Sequence, residues 1–206
     1  MINGGYEDGY RNCSCFWGTE PGSLIKKLDE FIATFNKLNV LDAGCGEGKN
    51  AVYLAGRGAT VLAVDISATA IDNGRRYFPA FEAVTWKVAD ILNLSFGVPM
   101  FDIVIAYGLL HCLSSADEVA RVVNHLQEAT KMGGFHVVCC FNSRHQDLSA
   151  HPGFNPILLS HQRIVSHYKE WELLHSSDSD LVETHPHNRI EHCHSMTRLI
   201  ARRTTE

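Results

Sequence analysis

The chain has 206 residues and 45% hydrophobic residues, which fits one α/β domain with a substantial core. Its formal net charge is −5, and its lysines and arginines do not cluster into a stripe, so we expect no nucleic-acid partner. The first residues lack the pattern of a signal peptide, and the sequence contains no apolar run long enough to span a membrane. The seven cysteines are odd in number, and several lie in apolar surroundings, where free thiols behave as small hydrophobes. We therefore expect a reduced, cytoplasmic protein.

The predicted elements alternate between strands and helices over the first two thirds of the chain. The first 20 residues are rich in Gly, Tyr and Cys and are expected to be irregular. A helix is predicted after Pro21, where apolar residues recur at helical spacing as far as Phe35. Apolar runs predict strands at about 39–43, 60–65, 83–89, 101–107 and 135–141, with helices at about 48–57, 68–77 and 116–131 between them.

The last third of the chain has a different pattern. Residues 142–158 show neither helical nor strand periodicity, and so long a loop in a compact domain is usually functional. A helix is predicted at 160–168, and strands at 171–175 and 190–202. Strand–helix alternation followed by a strand-rich end predicts a mostly parallel sheet with an antiparallel edge.

The segment from Val40 to Asp65 is the most informative part of the sequence. It comprises a strand, a glycine turn, a helix and a second strand that ends on an acid, which is typical of a nucleotide-binding half-site. Its spacing is G-x-G-x-G, at residues 44 to 48, whereas dinucleotide sites have G-x-G-x-x-G. The carboxylate of Asp42 would repel phosphate and suits an amine, while Asp65 can accept from both ribose hydroxyls. The pattern favours S-adenosylmethionine (SAM); an ordinary glycine turn of an α/β protein is the alternative.

From Leu24 to the C-terminus, the chain resembles the class I SAM-dependent methyltransferases. Within them it is most similar to the tellurite-resistance (TehB-type) methyltransferases and the related thiol and halide methyltransferases. The matching residues are LDAGCGEGKN (41–50), in which Gly-Lys-Asn is the more specific part, and the stretches at 167–174 and 196–203. Residues 16–21 are similar to the entry motif of the thiol and halide enzymes, with Phe16 in place of the expected proline and an offset glycine.

The resemblance implies a single domain over 1–206, with residues 1–20 as an N-terminal lid. It implies a Rossmann-like α/β fold: a mostly parallel seven-stranded sheet of order 3-2-1-4-5-7-6, with an antiparallel edge strand and helices on both faces. The residues that it places at SAM fall into three groups. The turn under the amino-acid part is formed by Asp42, Gly44, Cys45 and Gly46. Asp65 binds the ribose, and the adenine lies among Ile66, Asp90 and Ile91, with Tyr107 lining the pocket at the end of the fourth strand.

The resemblance implies a small-molecule acceptor. It also implies that the protein is a monomer or a homodimer. A soft nucleophile such as a thiolate, a halide or a selenium or tellurium species needs no base, whereas an oxygen or amine benefits from one. His111 has the titration range of a base, but this position is also a pocket-wall or helix-capping residue. Trp17 could close the lid over the sulfonium by a cation–π contact or serve as a packing anchor. Tyr107, His111 and Trp17, with His145 of the 142–158 loop, are the predicted acceptor-binding residues. His151 lies in the same loop.

Two alternative functions stay open. The same fold could cyclise or cleave SAM without a methylated acceptor, or it could bind SAM without turnover.

Two H-x-H pairs near the C-terminus are the oddest feature. They are His185 and His187, and His192 and His194. Residues at i and i+2 of a strand share a face, so His192 and His194 should point together. The four could bind a metal ion, line the substrate mouth or form a polar sheet edge. Because TehB-type relatives do not require a metal, we assign none from the sequence.

Overall fold

The computed structural model describes residues 6–13, 15–185 and 189–204. Its strands are β1 (Asn39–Ala43), β2 (Thr60–Asp65), β3 (Val84–Val88), β4 (Phe101–Tyr107), β5 (Thr130–Gln146), β6 (Glu172–Glu183) and β7 (His192–Arg202). Its helices are α1 (Glu7–Asn12), α2 (Ser23–Lys27), α3 (Lys49–Ala55), α4 (Ala68–Tyr77), α5 (Ala116–Glu128) and α6 (His161–Ser166). Short 3₁₀ turns lie at Leu28–Glu30, Ile91–Asn93 and Leu110–Cys112.

The strands form one seven-stranded sheet of order β3-β2-β1-β4-β5-β7-β6, which confirms the predicted topology. The pairs from β3 to β5 are parallel, and β7 runs antiparallel to both β5 and β6. The antiparallel strand is thus β7, which lies next to the edge strand β6. In a sheet of this kind the carboxyl ends of the parallel strands form the ligand crevice.

Both faces of the sheet are covered. Along β4, Val104 faces a core shared with α5 and α6, while Ile103 and Ile105 face a second core shared with α2 and α3. Burial on both faces explains why the inner strands appear in the sequence as continuous apolar runs. Among the residues that the structure describes, no helix combines the length and the apolar character needed to cross a membrane.

The structure differs from the sequence prediction at four elements. Helix α1 lies inside the segment that was expected to be irregular, and α2 is shorter than its apolar pattern suggested. Strand β5 continues to Gln146 because, after a register shift past Phe141, Gln146 pairs with His194 of β7. Strand β6 begins where a strand was predicted but extends to Glu183 as a largely exposed edge strand. Its residues after His175 are mostly polar, so apolar periodicity did not indicate them.

Candidate active site

A cavity of about 290 Å³ opens at the carboxyl ends of β1, β2 and β4. Its volume is near the lower end of the range for small-molecule pockets. The predicted site residues that line it are the turn from Gly44 to Gly46, together with Asp65, Ile66, Ile91, Tyr107, Trp17 and His111. Nine of the twelve predicted site residues therefore line the cavity, while the role of each residue toward a ligand stays a prediction.

Asp65 is held rigidly at the end of β2. Its Oδ2 accepts a hydrogen bond of 2.8 Å from the Gly46 N–H, and its Oδ1 accepts one of 2.9 Å from the Ser67 N–H. Gly46 has a φ of +55°, a conformation that glycine adopts without steric cost and that aims this N–H at Asp65. Burial raises the pKa of Asp65, and the two backbone hydrogen bonds oppose that rise. Each carboxylate oxygen has a second lone pair with which it can accept from a ligand hydroxyl.

Two predicted ligand-binding acids do not line the cavity. Asp42 is buried beneath the turn, where burial and the neighbouring charge of Asp65 raise its pKa to about 7. Asp90 caps the turn that follows β3, because its Oδ1 accepts a hydrogen bond of 2.9 Å from the Leu92 N–H. The structure gives both acids a place in the framework of the site.

The residues that follow the glycine turn anchor part of the N-terminal segment that the resemblance predicts to be a lid. The buried carboxylate of Glu47 accepts from the Phe16 N–H at 2.6 Å, through Oε2. The Lys49 ammonium donates to the Trp17 carbonyl at 2.7 Å, and the Asn50 side-chain oxygen accepts from the Gly22 N–H at 2.9 Å. Lys49 and Asn50 of the Gly-Lys-Asn extension therefore contact the chain at Trp17 and Gly22.

Helix α1 is the part of the lid that sequence reasoning missed. The Ser67 hydroxyl donates to Glu7 at 2.6 Å, and the Thr69 hydroxyl donates to the same carboxylate. The side chain of Asn73 donates to the Tyr10 carbonyl at 2.8 Å. These contacts join α1 to α4 across about 60 residues of sequence, so no local pattern could have indicated them.

Aromatic rings from the lid roof the cavity. The Trp17 indole N–H donates to the Tyr10 hydroxyl at 3.1 Å, and the Tyr6 ring meets Trp17 edge-on with centroids 5.0 Å apart. All three rings line the cavity. The arrangement suits a positively charged ligand, since cations are attracted to aromatic faces.

His111 is buried and stacks on Phe141, with ring centroids 4.1 Å apart and planes within 6°. Its Nδ1 accepts a hydrogen bond of 3.2 Å from the Phe141 N–H, so the proton of the neutral ring is on Nε2. Burial, followed by the nearby His194 and His151, lowers its pKa to about 3. With one nitrogen engaged as an acceptor and the other protonated, the ring has no lone pair for a substrate proton. The geometry therefore argues against the predicted base role and leaves His111 as a wall residue that can donate.

The remaining acceptor-side predictions divide. Tyr107 lines the cavity and packs so closely on Gly22 that a Cβ there would overlap its ring. His145 is exposed on β5 and is not part of the cavity wall. Glu183, at the end of β6, lines the cavity although sequence reasoning overlooked it. Burial raises the pKa of Glu183, which is thus a carboxyl with a perturbed pKa in the cavity wall.

The comparisons with known proteins agree with this arrangement. A family model described as a methyltransferase domain matches residues 40–134, which include the glycine turn, Asp65 and β4. This part of the chain is therefore similar to the methyltransferase domain family.

Three similar proteins illustrate the range of the family. The chain is 40% identical over 77 residues to the 2-heptyl-1-hydroxyquinolin-4(1H)-one methyltransferase of Mycobacteroides abscessus, covering 36% of this chain and 34% of that protein. It is 23% identical over 150 residues to a probable SAM-dependent methyltransferase, TehB, of Haemophilus influenzae, covering 68% of this chain and 48% of that protein. The solved TehB structure from that organism superposes with a TM-score of 0.73 at 18% identity, over 89% of this chain and 62% of that one.

The third similar protein is a solved structure that concerns the conversion of a disulfide bond into a thioacetal group during echinomycin biosynthesis. It superposes with a TM-score of 0.75 at 23% identity, over 98% of this chain and 93% of that one. At these identities the two structural likenesses concern the fold. The chain matches between 34% and 48% of the lengths of the two curated relatives.

Proposed function

We propose that this protein transfers the methyl group of SAM to a small-molecule acceptor. The observation that carries the proposal is the Asp65 carboxylate, fixed by the Gly46 and Ser67 amides beside a cavity roofed by aromatic rings. Asp65 would accept from the ribose hydroxyls, and Ile66 and Ile91 would pack against the adenine. When bound, SAM supplies an electrophilic methyl group on a sulfonium, so the protein has to align the acceptor and exclude water.

We infer that the acceptor is a soft nucleophile, such as a thiol, a halide or a selenium or tellurium species. His111 cannot take a proton in its observed tautomer, and a thiolate forms near neutral pH without a strong base. The similarity to TehB supports an acceptor of this class, which is the class that the resemblance implies.

A second candidate is an oxygen or amine acceptor, because Glu183 gives the cavity a carboxylate with a raised pKa. Such a group can accept a proton near neutral pH. On this alternative, Glu183→Gln would abolish turnover, whereas a thiol acceptor would still react.

The decisive experiment is a turnover assay with methyl-labelled SAM against thiols, halides, selenite, tellurite, phenols and amines. A labelled product from a thiol, halide, selenium or tellurium compound is expected. SAM consumption without any acceptor would indicate cyclisation or cleavage instead. SAM binding with no turnover on the whole panel would contradict the enzymatic proposal and indicate a binding module.

The donor site has a test of its own. Asp65→Ala should weaken SAM binding by roughly ten- to a hundredfold, because it removes two charge-assisted hydrogen bonds. Asp72→Ala is the matched control, since Asp72 is an exposed acid of α4 that pairs only with Arg75 among the ion pairs of the described residues. Equal affinities of the two variants in calorimetry would refute the ribose assignment.

Cytoplasmic location and a monomeric or dimeric state remain predictions.

A further inference from the structure

Four buried histidines from three parts of the chain meet beside the cavity. His151 comes from the loop after β5, His185 from the connection between β6 and β7, and His192 and His194 from β7. The Nε2 atom of His151 lies 3.2 Å from the Nε2 atom of each of the other three. All four residues are buried, with exposed fractions of 7% or less. His187, which the sequence grouped with them, lies outside the described residues.

The tautomers of two of these rings follow from their neighbours. Nδ1 of His192 lies 2.8 Å from the Ile190 carbonyl, which can only accept, so this nitrogen carries the proton. Nδ1 of His194 lies 2.8 Å from Oε1 of Gln146. The orientation of that amide is fixed, because Nε2 of Gln146 donates to the carbonyls of Asn142 and Ser195, both at 2.8 Å. His194 therefore also has its proton on Nδ1.

It follows that Nε2 of His192 and Nε2 of His194 each carry a lone pair and no proton. Both atoms lie 3.2 Å from Nε2 of His151. His151 Nε2 carries at most one proton and can form a linear hydrogen bond with only one of its three neighbours. Hydrogen bonding therefore cannot account for three equal contacts of 3.2 Å around one nitrogen. A cation shared by the four nitrogens would account for all of them.

The distances match a tetrahedral metal site. With zinc–nitrogen bonds of about 2.0–2.1 Å, tetrahedral ligands are roughly 3.3 Å apart. This value is close to the 3.2 Å that separates Nε2 of His151 from Nε2 of each of the other three histidines. Imidazole nitrogen suits zinc and neighbouring first-row metals. The hydrogen bonds from Nδ1 to Ile190 and Gln146 are the type of outer contact that orients metal-binding histidines.

We propose that His151, His185, His192 and His194 bind one divalent first-row transition metal ion, with zinc the best match. Glu183 supplies a compensating negative charge, since its Oε1 lies 3.8 Å from Nε2 of both His192 and His194. That separation is too long for a hydrogen bond. The metal-binding atoms of His151, His192, His194 and Glu183 all lie within 4.8 Å of one another.

The ion would organise the acceptor side of the cavity. Phe141 stacks on His194 with ring centroids 4.1 Å apart, and its other stacking partner is His111 of the cavity wall. His185 meets Phe16 and Trp17 of the lid, with ring centroids 5.7 and 5.3 Å away. Four nitrogen ligands complete a tetrahedral shell, which is typical of structural sites. The ion would thus join the loop, the β6–β7 hairpin and the lid, and the inference goes beyond the proposed methyl transfer.

The first test needs no variant. The intact protein is stripped with a chelator, dialysed and reloaded with Zn²⁺ or Co²⁺. We expect one equivalent of zinc per chain by elemental analysis, and a Co²⁺ form with the intense visible bands of tetrahedral coordination. X-ray absorption of the zinc form should give four nitrogen ligands at about 2.0–2.1 Å. Less than a tenth of an equivalent of tightly bound zinc, or a spectrum of fully hydrated octahedral Co²⁺, would overturn the proposal.

The second test locates the ion. His194→Ala and His192→Ala should each weaken zinc binding at least tenfold, while Glu183→Gln should weaken it by a smaller factor. His175→Ala is the control, because His175 lies on the same strand as Glu183 but outside the cluster. Circular dichroism shows whether each variant is folded, and the measurements on the intact protein stand if one is not. Zinc affinity equal to wild type in folded His192→Ala and His194→Ala would place the ion elsewhere.

Discussion

Replacement of Glu47 by glutamine tests how the lid is held. The Glu47 carboxylate accepts from donors on both of its oxygens, among them the Phe16 N–H at 2.6 Å and the Asn73 amide nitrogen at 3.0 Å. Glutamine has a single oxygen, so its own NH₂ group must face one of these donors. The site is buried, and a hydrogen bond to a charged acceptor contributes about 1.5–3 kcal/mol. Glu47→Gln should therefore raise the equilibrium constant for opening of the lid by roughly ten- to a hundredfold.

Amide hydrogen exchange at residues 15–22 measures that opening directly, with SAM affinity as the second readout. Exchange of the Phe16 amide should accelerate by the factor given above, and SAM should bind more weakly. Glu20→Gln is the matched control, because Glu20 lies in the same segment but is exposed and pairs only with Lys26 among the described ion pairs. If the Phe16 amide exchanges equally slowly in both variants, the buried carboxylate does not hold the lid.

Three further predictions concern the cavity wall and the turn beneath it. Gly48→Ala should lower the free energy of unfolding by roughly 2–4 kcal/mol, measured by denaturant unfolding. Gly48 has a φ of +81°, and a Cβ there would overlap the Trp86 ring. A loss below about 0.5 kcal/mol would contradict this packing. His111→Gln should retain the wild-type rate with a thiol acceptor. The kcat/KM of the wild-type protein should show no titration of His111 above pH 5, since the pKa of His111 is lowered to about 3. A large rate loss of the variant with this acceptor would mean that His111 is catalytic. Asp42 has a folded pKa raised to about 7 from an ordinary value of about 3.9, so between these values the folded state binds a proton that the unfolded state lacks. The free energy of unfolding should therefore fall as the pH rises through this window, and Asp42→Asn should flatten that fall; an identical pH profile in the variant would exclude Asp42 as its source.

The donor half of the site could be predicted from the sequence because it is local. The glycine turn and the acid that ends β2 lie within one stretch of chain, and the structure places them as the pattern indicated. The position of Asp42 could not be predicted, since strand periodicity does not say whether an acid points into a cavity or beneath a turn.

The acceptor half depends on contacts between distant residues. The tautomer of His111 is set by a backbone amide 30 residues away, and the contact between His151 and His194 spans 43 residues. The part of strand β6 after His175 was not predicted, because an exposed edge strand has no apolar face to show. The sequence could thus indicate that His192 and His194 share a face, but not which third and fourth ligands would meet them.

The shared Phe141 ring leads to one prediction that separates the two halves of the site. Phe141 stacks on His194 of the proposed metal cluster and on His111 of the cavity wall, whereas Asp65 is held by Gly46 and Ser67 on the donor side. Removal of the metal should therefore disturb acceptor binding more than SAM binding. Chelated protein should keep its SAM dissociation constant within about threefold, while the acceptor KM rises about tenfold or more and recovers on addition of Zn²⁺. Equal losses for both ligands would mean that the histidine cluster supports the whole fold and has no particular connection with the acceptor.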